Sequence, residues 1–98
     1  MDKKLLQAVK RFNKVMSDCE DMNVLKINDD DSLVAYYDPD FKPKNISDLI
    51  KETEYQLSLY YEDGHDLNEL YYNDNKEWHR KILRLKRLII SLKKLNTK

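Results

Sequence analysis

Three stretches of the chain repeat apolar residues at alternating spacings of four and three, and this periodicity constrains the fold more than any other feature. Such spacing keeps the apolar side chains on one side of an α-helix and gives that helix a face to bury. We therefore predict helices over residues 3–21, 46–62 and 75–95. The three apolar stripes are Met1, Leu5, Ala8, Phe12, Val15, Cys19 and Met22; Ile46, Ile50, Thr53, Leu57 and Tyr60; and Trp78, Ile82, Leu85, Ile89 and Leu92. Val9 and Met16 widen the first stripe, and Leu88 and Leu95 widen the last.

The segments between these helices indicate a hairpin and a short helix. Two short runs with β-branched and aromatic residues flank the turn Asp29-Asp30-Asp31, which predicts a β-hairpin over 23–37. Asp66 and Glu69 have the spacing of a capping box and predict a short helix over 67–72. The only glycine, Gly64, is predicted to stop the second helix. The predicted fold class is mainly α with a small β-hairpin, in the order α-ββ-α-α, as one bundle-like domain over residues 1–98.

Cysteine content and hydropathy favour a cytoplasmic chain. Cys19 is the only cysteine, which excludes an intramolecular disulfide and favours a reducing compartment. The N-terminal residues lack the continuous apolar stretch of a signal peptide, and the run Leu88-Ile89-Ile90 is far too short to cross a bilayer. We expect no membrane partner.

No residue pattern indicates catalysis. His65 lies among acidic residues near Gly64, but the spacing matches no standard metal-binding loop. Cys19 occupies a core-facing helical position, where a cysteine behaves as a small hydrophobic residue. His79 lies beside Trp78 without a nucleophile at a suitable spacing. We therefore predict no catalytic, cofactor-binding or metal-binding residues, and a protein that is not an enzyme.

The net charge is zero only because segments of opposite charge cancel. Residues 1–16 carry +4, residues 17–75 carry −12 and residues 76–98 carry +8. Such segregation is informative about binding partners rather than about fold. One interpretation is internal neutralisation between the basic ends and the acidic middle. The other is that one of these regions meets a charged partner.

The acidic middle is also rich in tyrosine, a residue that is enriched at interaction hot spots. We therefore predict a small intracellular protein–protein interaction module, acting as a regulator or inhibitor. The chain is small, lacks a catalytic signature and has a bias towards lysine, asparagine and isoleucine. By analogy, these features suggest a phage or mobile-element anti-defence protein of the anti-CRISPR kind. The predicted partner-binding residues are Asp29, Asp30, Asp31, Tyr37, Asp38, Asp40, Tyr61, Glu62, Asp63, Asp66, Glu69 and Tyr72.

The last predicted helix offers two further surfaces. Leu83 and Ile90 lie off its apolar stripe, so they are covered either by the hairpin or by a second copy in a symmetric homodimer. Its basic residues fall on the side opposite Leu85. Together with the basic first helix, they support an alternative function as a small nucleic-acid-binding regulator. The residues of this alternative face are Lys76, Arg80, Arg84, Arg87 and Lys94.

Overall fold

Three helices and one antiparallel hairpin make up the described part of the chain. The computed structural model describes residues 2–18, 24–36, 38–66 and 76–97, with the side chains of all of these except 61–66 and 76–78. The elements are helix α1 (Lys3–Asp18), strands β1 (Leu25–Ile27) and β2 (Leu33–Ala35), helix α2 (Ile46–Asp66) and helix α3 (Lys76–Asn96). The predicted class and the order α-ββ-α-α are confirmed.

Helix α3 packs against both other helices and runs antiparallel to them. Arg84, in its first half, forms an ion pair with Asp18 at the end of α1. At the other end of α3, the Asn96 side-chain amide donates a 3.3 Å hydrogen bond to the Ser47 hydroxyl at the beginning of α2. Helix α3 therefore joins the other two helices and closes the fold.

The core lies between the three helices and one face of the hairpin. Phe12, Met16, Leu49, Leu85 and Leu92 are among its most deeply buried members. The Phe41 ring, from the loop after the hairpin, packs at a tilt against Phe12 with ring centroids 6.5 Å apart. Each element thus contributes at least one buried apolar residue. The core cluster consists of Ala8, Val9, Phe12, Met16, Leu25, Leu33, Ala35, Ile46, Leu49, Ile50, Leu85, Leu88 and Leu92.

Several of the residues predicted to widen the apolar stripes are more deeply buried than members of the stripes themselves. In α1, Val9 and Met16 are fully buried, whereas Val15 is half-buried. In α3, Leu88 is buried and Ile89 is half-buried. A straight helix turns once every 3.6 residues, so a strict seven-residue repeat drifts around its surface and broadens the face that is buried.

Helix α2 begins at a side-chain cap and extends beyond its predicted end. The Asn45 side-chain oxygen accepts a 2.9 Å hydrogen bond from the Asp48 backbone N–H, so Asn45 is the N-cap of α2. The Asp48 carboxylate accepts a 2.8 Å hydrogen bond from the Lys44 N–H. The prediction that Gly64 stops this helix is wrong, because α2 continues through it to Asp66. One glycine inside a helix costs only about 1 kcal/mol, which neighbouring turns can offset.

Several predictions fall on residues that the structure does not describe. These are the end of the first helix at residues 19–21, the short helix at 67–72, and the packing of Cys19 and Trp78. Helix α1 is described to Asp18.

The hairpin turn has a different chemistry from the usual glycine-containing turn. The Asp31 N–H donates a 3.0 Å hydrogen bond to the Asn28 carbonyl, and the Asn28 N–H donates a 2.8 Å bond to the Ser32 carbonyl. Asp31 has a φ of 66°, in the left-handed region. This pattern is a three-residue loop in which a turn is followed by one left-handed residue. Aspartate tolerates that conformation better than bulky residues do, so the turn forms without glycine.

Replacing Asp31 by valine is expected to lower the free energy of unfolding by about 1–2 kcal/mol, because a β-branched side chain clashes in the left-handed region. Asp31→Gly is expected to change it by much less, since glycine adopts this conformation readily. Chemical denaturation followed by circular dichroism measures the free energy of unfolding of both variants. Asp29→Val is the control in the same turn. Equal losses in Asp29→Val and Asp31→Val would contradict this explanation.

The two outer edges of the hairpin are hydrogen-bonded to the rest of the protein. On the β1 side, the Asn13 amide pairs with both backbone groups of Leu25: its oxygen accepts from the Leu25 N–H at 2.8 Å, and its nitrogen donates to the Leu25 carbonyl at 3.1 Å. On the β2 side, the Ala35 N–H donates to the Phe41 carbonyl at 3.1 Å. A two-stranded hairpin is marginal by itself, so these bonds help to fix it on the helices.

No helix in the described ranges is long and apolar enough to span a membrane.

Candidate partner-binding surface

The outward face of α3 exposes two large aliphatic side chains. Leu83 is 48% exposed and Ile90 is 56% exposed. Both lie away from Leu85, which is buried in the core. Seven residues separate them, so they fall on nearly the same line along the helix, about 10.5 Å apart along the axis. The described hairpin residues, 24–36, do not bury them, so the predicted coverage by the hairpin is not found for these two residues.

Basic side chains border this aliphatic pair on both sides. Arg87 and Lys94 lie on the flank nearer to α1, within about 60° of the pair around the helix axis. Lys86 and Lys93 lie on the opposite flank, and all four side chains are exposed. We call Leu83, Ile90 and these four basic residues the outer face of α3.

A basic groove lies beside this face, where α3 meets α1. The Arg11 guanidinium donates a 2.5 Å hydrogen bond to the Ser91 hydroxyl across the two helices. The groove has a volume of about 330 Å³. Two apolar residues contribute to it among four basic ones, and its lining residues are Arg11, Lys14, Val15, Arg84, Arg87, Leu88 and Ser91.

The residues of the predicted nucleic-acid face differ in their exposure. Arg80, Arg87 and Lys94 are exposed. Arg84 is half-buried and turns towards α1, where it pairs with Asp18. The side chain of Lys76 lies outside the described residues. The contribution of α1 to this basic region, through Arg11 and Lys14, depends on the antiparallel packing of α1 and α3.

The described part of the predicted acidic surface lies at the hairpin turn and in the loop after β2. Asp29, Asp30, Asp31, Asp38 and Asp40 are all exposed. The Asp38 carboxylate accepts a 3.2 Å hydrogen bond from the Asp40 N–H, so it also shapes its own loop. The other predicted members lie outside the residues or side chains that the structure describes: Tyr37, Tyr61, Glu62, Asp63, Asp66, Glu69 and Tyr72. Their role in binding stays a prediction.

Ser32 holds the pKa of the Asp30 carboxyl below its ordinary value. The Ser32 hydroxyl and backbone N–H both donate to Asp30 Oδ1, at 2.6 and 3.0 Å, and hydrogen bonds to a carboxylate favour its charged form. Because the folded-state pKa is lowered, the stabilisation is complete above the unfolded-state pKa. It is lost as the pH falls through the folded-state pKa.

We expect Ser32→Ala to raise the pKa of Asp30 towards its ordinary value, because both the hydroxyl donor and the geometry that it supports are lost. Carboxyl carbon chemical shifts measured by NMR across an acid titration test this directly. Ser58→Ala is the control variant, because the Ser58 hydroxyl donates to the Tyr55 carbonyl on α2, and it should leave the Asp30 titration unchanged. An unaltered Asp30 titration in Ser32→Ala would show that Ser32 is not the cause.

A wider groove separates the hairpin from the loop that follows it. Its volume is about 660 Å³. Asp30 and Asp31 contribute acidic groups at the turn, and Lys42 and Lys44 contribute basic groups from the loop. The apolar residues Leu33 and Pro43 are buried beneath it. Neither charge nor apolar character dominates, so this groove indicates no particular class of ligand.

The structure offers no metal-binding cluster among the residues it describes, where no three His, Cys, Asp or Glu side chains are suitably grouped. His79 is exposed at the beginning of α3. Cys19 and the side chain of His65 lie outside the described part of the chain.

No protein-family model matches this chain, and the comparisons with curated protein sequences and with solved structures likewise give no significant match.

Proposed function

We propose that this protein is a small interaction module that binds another protein through the outer face of α3. The observation that carries this proposal is the exposure of Leu83 and Ile90, at 48% and 56%, in the middle of a basic surface. Aliphatic side chains gain little from contact with solvent or with phosphate groups, but they gain from burial in a protein interface. Such a module would act as a regulator or inhibitor by covering a surface of its partner.

Site-specific photocrosslinking in the native host tests this proposal. A photoreactive amino acid at position Ile90 is expected to form a protein adduct that survives nuclease treatment. The control carries the same group at Tyr55, which is 56% exposed on α2. Adducts of equal yield from both positions, or adducts with nucleic acid alone, would contradict protein binding through α3.

Nucleic acid is the second candidate partner, and the basic groove between α1 and α3 favours it. Arg11, Lys14 and Arg87 could contact phosphates there, and such contacts make affinity fall steeply with salt. With a protein partner, we expect only weak, non-specific binding of duplex DNA. Fluorescence anisotropy at several salt concentrations measures it, and sub-micromolar affinity at physiological salt would instead make nucleic-acid binding the function.

A further inference from the structure

The outer face of α3 has the pattern of one half of a helix–helix interface. Leu83 and Ile90 are one heptad apart and form a narrow apolar line. Basic residues border that line on both sides, as charged residues border the apolar seam of a coiled coil. A partner that matches it must supply apolar groups along its centre and negative charge along both borders.

The described parts of the three helices in a second copy of this chain do not supply that complement. In a symmetric antiparallel pair, Leu83 of one chain would face Ile90 of the other, and each basic flank would face the same flank of the second copy, with Arg87 beside Arg87. The interface would then bring like charges together, which is unfavourable. Contact with α2 of a second copy would offer only one exposed carboxylate, Glu54, among the side chains that the structure describes on that helix. One carboxylate cannot lie along both basic borders.

A nucleic-acid backbone supplies the negative charge but not the apolar groups. It would leave Leu83 and Ile90 exposed or desolvated without apolar neighbours. An acidic helix satisfies both requirements, because residues spaced by three and four lie along one side of it while carboxylates occupy the adjacent positions.

On this basis we infer that the partner of α3 is an acidic amphipathic helix of another protein. Its apolar residues pack on Leu83 and Ile90, and its carboxylates lie over Arg87 and Lys94 on one border and over Lys93 on the other. This inference rests on the proposed function and names the class of partner that the same face binds.

Binding of synthetic peptides to the full chain tests the inference. The probe is a peptide of about three heptads, with leucine at the seam and glutamate at the flanking positions. A scrambled peptide of identical composition and a DNA duplex are compared with it by fluorescence anisotropy, at low and at physiological salt. We expect the amphipathic peptide to bind at least about tenfold more tightly than the scrambled one, because only the ordered sequence presents a continuous apolar seam.

Two pairs of variants separate the apolar contribution from the electrostatic one. Leu83→Ser with Ile90→Ser is expected to weaken peptide binding by about tenfold or more at either salt concentration. Arg87→Gln with Lys93→Gln is expected to weaken it mainly at low salt, because exposed charges are screened as salt rises. Circular dichroism confirms that the variants fold.

The matched controls carry the same types of change away from α3. Ile27 is 42% exposed on the hairpin, which docks on α1 through Asn13. Arg11 and Asn13 are two residues apart and therefore point to nearly opposite flanks of α1, and Arg11 faces α3. Ile27→Ser, and Lys42→Gln with Lys44→Gln in the exposed part of the loop, should leave peptide binding unchanged.

Several outcomes would overturn the inference. Equal binding of the ordered and scrambled peptides would mean that charge attraction alone causes the binding. Tighter binding of the duplex would make nucleic acid the ligand. Sedimentation as a dimer that Leu83→Ser with Ile90→Ser dissociates would make the occupant a second copy. A protein adduct at position Ile90 without peptide binding would leave the proposed function standing and refute only the acidic helix.

Discussion

Replacement of Asn13 by alanine is expected to lower the free energy of unfolding by about 2–4 kcal/mol, because a buried backbone donor or acceptor without a partner costs about 1–3 kcal/mol. The Asn13 side chain forms hydrogen bonds with both the N–H and the carbonyl of Leu25, a residue that is only 4% exposed. Alanine improves the intrinsic helix propensity of α1 by up to about 0.7 kcal/mol, which offsets only part of this loss. Urea denaturation measured by circular dichroism and tyrosine fluorescence gives the value.

Asn13→Asp is the informative companion of that variant. It preserves the shape of the side chain and the acceptor for the Leu25 N–H, but it places a carboxylate oxygen against the Leu25 carbonyl. We expect this variant to be at least as unstable as Asn13→Ala at neutral pH. It should recover some stability in mild acid, where the protonated carboxyl can donate to that carbonyl. Stability equal to that of the wild type in both variants would show that Leu25 does not depend on Asn13.

Truncation of Phe12 to alanine is expected to cost about 3–5 kcal/mol, and truncation of Leu85 about 2–5 kcal/mol. Both side chains are almost fully buried, so their removal leaves cavities on α1 and α3. These losses are a large part of the stability of a small domain. Thermal and chemical denaturation measure them. Leu83→Ala is the control on α3, because its side chain is 48% exposed. Unchanged melting temperatures for Phe12→Ala and Leu85→Ala would contradict the assignment of the core.

The ring contact between Phe12 and Phe41 adds a testable coupling. Their centroids are 6.5 Å apart, in the range where aromatic pairs attract by about 0.5–1.5 kcal/mol beyond their area. A double-mutant cycle with Phe12→Leu and Phe41→Leu is expected to show a coupling free energy of this size. Additive losses would mean that the loop after the hairpin is held by other contacts.

The helices and their buried faces could be predicted from the sequence because their signal is local. Phe12 and Leu85 lie in the middle of repeated apolar stripes, and both are buried. The end of α2 could not be found in the same way. A lone glycine gives only a weak preference for a stop, and the helix continues past Gly64.

The role of Asn13 was missed because its partner is a strand that lies outside its own element. A single asparagine on the flank of a helical stripe resembles any solvent-facing polar residue, and only the position of Leu25 reveals its function. A joint basic face of the first and last helices could be predicted from their charges, but the individual contacts in the groove between them could not. Arg11 and Ser91 are 80 residues apart in sequence, so their contact follows from the packing of α1 against α3. Leu83 and Ile90 could be singled out, because they are apolar residues on the polar side of one helix.

The central position of α3 has a consequence for how the chain matures. Leu92 is completely buried, and Asn96 reaches back to Ser47 at the start of α2. Before α3 has been synthesised, α1 and α2 cannot cover the apolar surfaces that they later bury against it. Folding on the ribosome therefore cannot reach the native state until this helix emerges, and until then the nascent chain presents apolar surface to chaperones and proteases.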